Sequence, residues 1–148
     1  ACRRLISSWS SQPGVPFTNT APDAATFRKG TPGWELHDEI KRRHADIRIE
    51  KHLPGSFTGT GLEEWLKDEG VTCLTIAGYM TQMCCDTTAR QAFHRGYTVN
   101  FLKDATGTLA ISNAAGSISD ADLHRAVLIT QHMRFSRVMT TGEWIAGL

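Results

Sequence analysis

Two adjacent cysteines, Cys84 and Cys85, lie at a predicted turn between a strand and a helix. Residues 73–77 form a short, mostly apolar run of β-formers, typical of a strand buried on both faces of a parallel sheet. A helical pattern follows from Asp86, and Gly96 is placed just past its end. A helix N-terminus stabilises the thiolate, which is the nucleophilic form of cysteine. Cys84 is therefore a candidate nucleophile, with a buried, inert thiol as the alternative.

Lys51 is the second candidate for chemistry. It follows residues 46–50, in which apolar Ile47 and Ile49 alternate with polar residues, as in a strand. The carboxyl ends of parallel strands meet at one edge of a sheet, so Lys51 is expected near the turn that carries Cys84. A lysine beside a cysteine favours the thiolate and stabilises developing negative charge. The alternative is an ordinary solvated lysine at a strand end.

Two other chemistries are weaker. Cys84 and Arg90 match the Cys-x5-Arg spacing of cysteine phosphatases, but the residues between them include no glycine and do include Asp86, whose charge repels phosphate. The histidines are scattered and no Cys-x2-Cys pair occurs, so the sequence predicts no metal site and no cofactor. The histidines are His37, His44, His52, His94, His124 and His132.

The elements that must position these residues alternate between strand and helix. This alternation predicts an α/β fold with a mainly parallel sheet flanked by helices. Helices are predicted at 1–11, 62–69, 86–95, 120–133 and 143–145, and a short helix or turn at 34–43. Strands are predicted at 46–50, 73–77, 98–102 and 138–140, with a further candidate at 15–18, and residues 103–117 are expected to form a loop.

Composition narrows the class of protein. The 148 residues suit one domain, and contents of 41% hydrophobic and 21% charged residues are typical of a globular chain. A net charge of +1 gives no reason to expect nucleic acid, and no apolar run is long enough to span a membrane. The four cysteines lack paired spacing, so we expect free thiols and a reducing, cytoplasmic location.

Two segments carry a resemblance to a known family. Residues 49–60, Ile-Glu-Lys-His-Leu-Pro-Gly-Ser-Phe-Thr-Gly-Thr, resemble the catalytic-lysine segment of the isochorismatase-like cysteine hydrolases. Residues 70–92, which contain Gly-Tyr-Met-Thr-Gln-Met-Cys-Cys-Asp-Thr-Thr-Ala-Arg-Gln-Ala, are similar to the nucleophile segment of the same family. Shorter matches follow at residues 103–106 and 122–126, and the resemblance extends over most of the chain from about Pro13.

The resemblance implies a three-layer α/β/α, Rossmann-like fold and hydrolysis of an amide-type C–N bond in a small molecule. It implies Cys84 as the nucleophile that forms a thioester acyl-enzyme, with Lys51 beside it. It also implies a cis peptide at Tyr79–Met80 that aims the backbone N–H groups of Met80 and Cys84 at an oxyanion. A homo-oligomer, dimer or tetramer, is expected.

One part of the family pattern has no match. The third member of the family triad is an aspartate just after the first strand, whereas Asp23 and Asp46 fall in other segments. We therefore expect residues 1–148 to be a single domain that lacks its N-terminal strand. The alternative function is a catalytically inactive scaffold or interaction protein.

The resemblance and the spacing also give expectations for the other side chains near Cys84. Phe57, Gln82 and Trp34 are candidates for a substrate pocket that takes a partly apolar small molecule. Cys85 is expected to point toward packing, because adjacent side chains at a helix start diverge by about 100°. Cys73, inside the strand, is expected to be an unreactive free thiol.

Overall fold

The computed structural model describes residues 4–8, 30–32, 35, 38, 42 and 45–148. Trp34, the strand candidate at 15–18 and most of the predicted helix at 34–43 lie outside these residues. The strands are β1 (Arg4–Ser8), β2 (Cys73–Tyr79), β3 (Thr98–Gly107), β4 (Ile111–Asn113), β5 (Gly116–Ile118) and β6 (Arg137–Met139). The α-helices are α1 (Leu62–Asp68), α2 (Asp86–His94), α3 (Asp120–Thr130) and α4 (Thr141–Ala146). Two π-helical turns, Thr81–Cys85 and Gln131–Phe135, precede α2 and follow α3.

The main sheet has four strands in the order β1-β2-β3-β6, and every neighbouring pair is parallel. In β2 the consecutive residues Leu74, Thr75 and Ile76 are all fully buried, so both faces of the strand are covered. This confirms the predicted buried parallel strand. Leu74 and Ile76 belong to one core cluster with residues from α1, α2 and β3, including Leu66, Ala89 and Phe101. The core thus lies between the sheet and helices α1 and α2.

Two predicted elements near the N-terminus are wrong. Residues 4–8 form strand β1 rather than part of a helix, in register from Arg4 beside Leu74 to Ser8 beside Gly78. The backbone groups along that side of buried β2 require hydrogen-bond partners, and this pairing outweighs the local helical spacing. Residues 46–50 are not a strand, since only Lys51 makes a β-bridge. Their alternation is nevertheless real, because Ile49 is buried and Ile47 packs against the core.

The predicted loop at 103–117 is also wrong. Strand β3 continues to Gly107, because Thr106 and Gly107 pair with Gly78 and Tyr79 after a register shift in β2. Beyond it, β4 and β5 form an antiparallel hairpin. Many of the small residues that suggested a loop thus form strands. Pairing between segments determines this, and local patterns do not reveal it.

Helix ends agree well with the sequence signals. Ser119 accepts a hydrogen bond from the N–H of Asp122 at 3.1 Å, which confirms it as the N-cap of α3. Gly96, with φ of +86°, follows the last residues of α2, as predicted. Helix α3 ends at Thr130 and continues as the second π-helical turn rather than as α-helix to Met133. None of the helices in the described part of the chain is long and apolar enough to cross a membrane.

Candidate active site

Strand β2 leads directly into the turn that carries Cys84. Gly78 has a φ of +128°, a conformation that side chains larger than hydrogen rarely adopt, and it lies where the register of β2 against β3 shifts. The next peptide bond, Tyr79–Met80, is cis. Residues Thr81–Cys85 then form a single π-helical turn that continues into α2. Short π-helical segments are frequent at functional sites.

The two adjacent cysteines have different surroundings. Cys85 is fully buried and belongs to the main core cluster, which confirms its predicted packing role. Cys84 is 6% exposed and lies outside that cluster. Met83, which precedes it, is 42% exposed. Cys85 therefore packs in the core, whereas Cys84 lies outside the cluster and its role as the nucleophile stays a prediction.

Lys51 is buried far more completely than an ordinary lysine. It is only 1% exposed. Its ammonium group donates to the carbonyl of Pro54 at 2.6 Å and to the carbonyl of Leu53 at 3.3 Å. The loop that follows Lys51 therefore folds back over its side chain and provides two of its hydrogen-bond acceptors. This arrangement rules out the solvated-lysine alternative.

Burial and the cysteines act in opposite directions on Lys51. Removal from water lowers the pKa of Lys51, because burial penalises the charged form. Attraction to Cys84, a side-chain hydrogen bond with Cys84 and weaker attraction to Cys85 oppose this lowering. The lysine is thus within hydrogen-bonding reach of the Cys84 thiol. The structure brings together the two residues that the sequence analysis singled out, although 32 residues separate them.

Two backbone N–H groups next to Cys84 already have a hydrogen-bond acceptor within the turn. The N–H groups of Met83 and Cys85 both donate to the carbonyl of Met80, at 3.1 and 3.3 Å. These bonds fix the turn and remove two amides from any role toward a substrate. The N–H groups of Met80 and Cys84 were the predicted oxyanion donors, and their role stays a prediction.

The candidate pocket residues have different positions. Gln82 is half-buried; its amide nitrogen lies 3.8 Å from the sulfur of Met80, and its side-chain oxygen is buried without a hydrogen-bond partner among the described residues. Phe57 packs in the core, with its ring centre 6.0 Å from that of Tyr97. The structure therefore gives Phe57 a packing role, and the pocket role of both residues stays a prediction.

One polar contact at the turn was not identified as part of the site from sequence. The Nδ1 atom of His124, in α3, lies 2.8 Å from the hydroxyl oxygen of Thr81, the first residue of the π-helical turn. The Nε2 atom lies 3.0 Å from the carbonyl oxygen of Lys103. A carbonyl only accepts, so in the neutral ring Nε2 carries the hydrogen and Nδ1 accepts from Thr81. His124 thereby ties the start of the turn to β3.

A second set of contacts joins α2 to the loop after Lys51. Thr88 and Gln91 of α2 bond to residues 56–58 of that loop. The sequence signal for these contacts is a polar residue four positions after Cys84 and another one seven positions after it. That signal alone does not name the partners.

Within the part of the chain that the structure describes, no group of three or more His, Cys, Asp or Glu residues is arranged to hold a metal ion.

Cys73 is disulfide-bonded, so the prediction of a free, unreactive thiol there is wrong. Cys73 is the first residue of β2 and is only half-buried, rather than enclosed in the middle of the strand.

The fold and the site together define a class: a parallel α/β protein with a buried cysteine–lysine pair beyond the carboxyl end of a strand. The profile of the isochorismatase domain matches residues 4–142, and the chain belongs to the isochorismatase family. This confirms the resemblance inferred from the lysine and nucleophile segments.

Curated relatives include proteins of known activity. The chain is 37% identical to a streptothricin hydrolase from Streptomyces noursei, over 80% of this chain and 48% of the relative. It is 35% identical to nicotinamidase 3 from Arabidopsis thaliana, over 72% of this chain and 50% of the relative. The chain spans between 38% and 66% of the length of the curated relatives it matches.

Solved structures agree on the architecture. An isochorismatase-family structure from Burkholderia xenovorans LB400 is 41% identical, with a TM-score of 0.84, over 89% of this chain and 64% of that one. A cysteine hydrolase from Pseudomonas syringae pv. phaseolicola 1448A is 25% identical, with a TM-score of 0.77, over 89% and 70%. The predicted three-layer α/β/α fold is confirmed.

Proposed function

We propose that the protein containing this chain hydrolyses an amide-type C–N bond of a small molecule, with Cys84 as the nucleophile. The observation that carries the proposal is the buried pair formed by Lys51 and Cys84. A fully buried lysine is costly unless its charge has partners. A thiolate at Cys84 is such a partner, and the thiolate is the form that attacks carbonyls. Relatives named as amide hydrolases support the reaction class.

The reaction proceeds through a thioester. The thiolate of Cys84 attacks the amide carbonyl carbon, and the tetrahedral oxyanion forms beside the N–H groups of Met80 and Cys84. Each such donor contributes roughly 2.7–4 kcal/mol in acyl transfer. The C–N bond breaks as its nitrogen takes a proton from water, and the amine leaves. The hydroxide that remains hydrolyses the thioester to a carboxylic acid and regenerates the Cys84 thiolate. Lys51 holds the thiolate in place and offsets the negative charge. We assign no residue of this chain to protonation of the leaving amine.

The substrate class follows from the residues near the turn. Gln82 offers an amide, and Met80 beside it offers an apolar, adaptable side chain. Such a lining suits a small, partly apolar molecule with a terminal amide. A panel of primary amides, assayed for ammonia release by the full-length protein, identifies the best substrate.

The experiment that tests the nucleophile is intact-mass spectrometry of the full-length protein after incubation with an amide substrate analogue. The wild type is expected to gain an acyl adduct, and Cys84→Ala is expected to gain none. Cys85→Ala is the matched control, because it removes a neighbouring thiol that packs in the core, and it should still be acylated. An adduct that persists in Cys84→Ala would assign the nucleophile elsewhere. A wild type that is neither acylated nor active on any amide would favour the scaffold alternative.

The expected homo-oligomer and the expected cytoplasmic location stay predictions from the sequence. Light scattering on the purified full-length protein measures the first, and fractionation of the source cells measures the second.

A further inference from the structure

We propose that Thr88 and Gln91 are positioning residues that hold the lysine loop, residues 53–58, against α2, the helix that follows the π-helical turn with Cys84. By fixing this loop they fix the ammonium group of Lys51 beside the thiol. The inference rests on the proposed function, because it assigns how the Cys84–Lys51 pair is kept in register. Neither residue is assigned contact with the reacting atoms.

The helix presents the three residues on one face. Thr88 lies four positions after Cys84, and Gln91 lies seven positions after it, which is the spacing of side chains that stack along one side of a helix. Thr88 is fully buried, and Gln91 is half-buried. The face that begins at the nucleophile therefore continues as a short polar strip instead of an apolar one.

Thr88 makes two hydrogen bonds to one loop residue. The backbone N–H of Ser56 donates to the hydroxyl oxygen of Thr88 at 3.1 Å, and the hydroxyl of Thr88 donates to the side-chain oxygen of Ser56 at 3.1 Å. Both residues are 0% exposed. Water cannot replace a partner at such a depth, so each of these bonds is costly to break.

Gln91 binds the same loop about one helical turn further along α2. Its side-chain oxygen accepts from the N–H of Phe57 at 3.4 Å, and its side-chain nitrogen donates to the hydroxyl of Thr58 at 2.7 Å. Gly55 gives it room, because a Cβ at that position would overlap the Gln91 amide. A side chain at position 55 would therefore push the Gln91 amide out of its present position.

The loop in turn holds the lysine. Its first two residues, Leu53 and Pro54, accept the hydrogen bonds of the Lys51 ammonium. A continuous set of contacts thus runs from α2 through Thr88 and Gln91 to the loop, and from the loop to the ammonium that faces Cys84. If the loop shifts relative to α2, the acceptors of Lys51 shift with it, and the ammonium moves relative to the thiol.

The test is a double-mutant cycle read out on the thiol rather than on turnover. The rate of iodoacetamide alkylation at Cys84 is measured against pH, with peptide mapping, for the full-length wild type, Thr88→Val, Lys51→Met and the double variant. Thr88→Val is expected to slow alkylation near neutral pH by about three- to tenfold, the range that one or two lost hydrogen bonds produce. In the Lys51→Met background, the same change is expected to have no further effect, because the group that Thr88 positions is already absent.

Matched variants separate positioning from general damage. Thr87→Val makes the same chemical change at the neighbouring, half-buried threonine, for which no side-chain hydrogen bond occurs among the described residues, and it should leave the rate unchanged. Thr88→Ser keeps the hydroxyl and should restore the wild-type rate. Gln91→Met provides an independent route if Thr88→Val does not fold, and it should slow alkylation only when Lys51 is present.

The outcomes distinguish this inference from the proposed function. If Lys51→Met slows alkylation but Thr88→Val and Gln91→Met behave like Thr87→Val, the positioning role is wrong and the cysteine–lysine pair stands. If Thr88→Val slows alkylation equally with and without Lys51, its effect does not pass through the lysine, and the inference is overturned. If Lys51→Met itself leaves the alkylation curve unmoved, the proposed pair fails, and the positioning role fails with it.

Discussion

Two hydrogen-bonded clusters in this chain use the same chemistry in opposite surroundings. The buried cluster, Ser56 and Thr88, joins the lysine loop to α2 through hydrogen bonds between two residues that are both 0% exposed. The exposed cluster, Asp104, Thr140, Thr141 and Glu143, joins β3 to the start of α4 at the surface. Both clusters rely on threonine hydroxyls and backbone N–H groups.

The difference lies in what replaces a lost partner. At the surface, water takes the place of a missing hydroxyl or carboxylate, so only the net worth of the bond is lost. In the buried cluster, the abandoned N–H or hydroxyl loses its hydrogen bond and gains none, which adds its full desolvation cost. The hydrogen bonds that are most costly to lose therefore lie near Cys84 and Lys51, where the geometry matters. The hydrogen bonds at the start of α4 cost less to lose.

The largest expected effect tests whether a buried apolar side chain, like a buried hydrogen bond, is more costly to lose than an exposed one. Phe101, in the middle of β3, is fully buried, whereas Ile129, in α3, is 63% exposed. Phe101→Ala is expected to lower the free energy of unfolding by about 3–5 kcal/mol, because it leaves a cavity in the core. Ile129→Ala is expected to change it by less than about 0.5 kcal/mol. Urea unfolding of both variants measures the difference. Similar losses would show that α3 packs more closely than its exposure indicates.

The next effect concerns the buried cluster itself. Thr88→Val leaves the buried N–H of Ser56 without its acceptor, and we expect a loss of about 1–3 kcal/mol in the free energy of unfolding. Thr87→Val, its neighbour on α2, is expected to cost less than about 0.5 kcal/mol. Urea midpoints at constant m-value give both numbers. Equal costs for the two threonines would show that losing the buried hydrogen bonds between Thr88 and Ser56 carries no extra desolvation cost.

Local signals explain how much of the site could be predicted. The strand β2, the turn and α2 follow from an apolar run, a glycine and a helical face, all within about 25 consecutive residues. The neighbourhood of Lys51 and Cys84 follows from the rule that ligand sites lie at the carboxyl ends of parallel strands. The rule gave the correct result for Lys51, although residues 46–50 form no strand.

Contacts between distant segments explain what could not be predicted. The pairing of β1 with β2, the extension of β3 to Gly107 and the bond between Ser56 and Thr88 depend on residues far apart in the chain. A single sequence records which residues can bond, but not which segments meet. The same limit applies to His124, which was identified as a scattered histidine and which the structure places against Thr81.

A smaller effect is expected at the exposed cap of α3. Ser119→Ala removes the acceptor for the N–H of Asp122, a bond of 3.1 Å at the surface. Caps of this type contribute about 1 kcal/mol, and less where water can reach the freed N–H. Ser119→Thr keeps the hydroxyl and is the control, which should match the wild type. Thermal unfolding followed by circular dichroism measures both variants, and a loss as large as that of Thr88→Val would contradict the contrast.

The smallest expected effect is a difference in how the stability contributed by the two clusters depends on pH. Hydrogen bonds from the backbone and side chain of Thr140 lower the pKa of Glu143 below its ordinary value of 4.5. Burial acts to raise the pKa of Asp104, but bonds from the backbone and hydroxyl of Thr141 outweigh it, and the net pKa lies below 3.8. A carboxylate whose pKa is lowered by folding stabilises the fold fully above the unfolded value, and that contribution is lost as the pH falls through the folded value.

The exposed cluster should therefore weaken as the pH falls below the ordinary pKa of about 4.5 for Glu143 and through its lower folded value, whereas the buried cluster, which has no carboxylate, should not respond. Glu143→Gln is expected to flatten the acid limb of a plot of Tm against pH by a small amount. Thr88→Val is expected to lower Tm by the same amount at pH 7 and at pH 4. Scanning calorimetry across this range gives both curves. If Glu143→Gln runs parallel to the wild type, the capping carboxylate is screened by water so fully that the exposed cluster adds nothing measurable to stability.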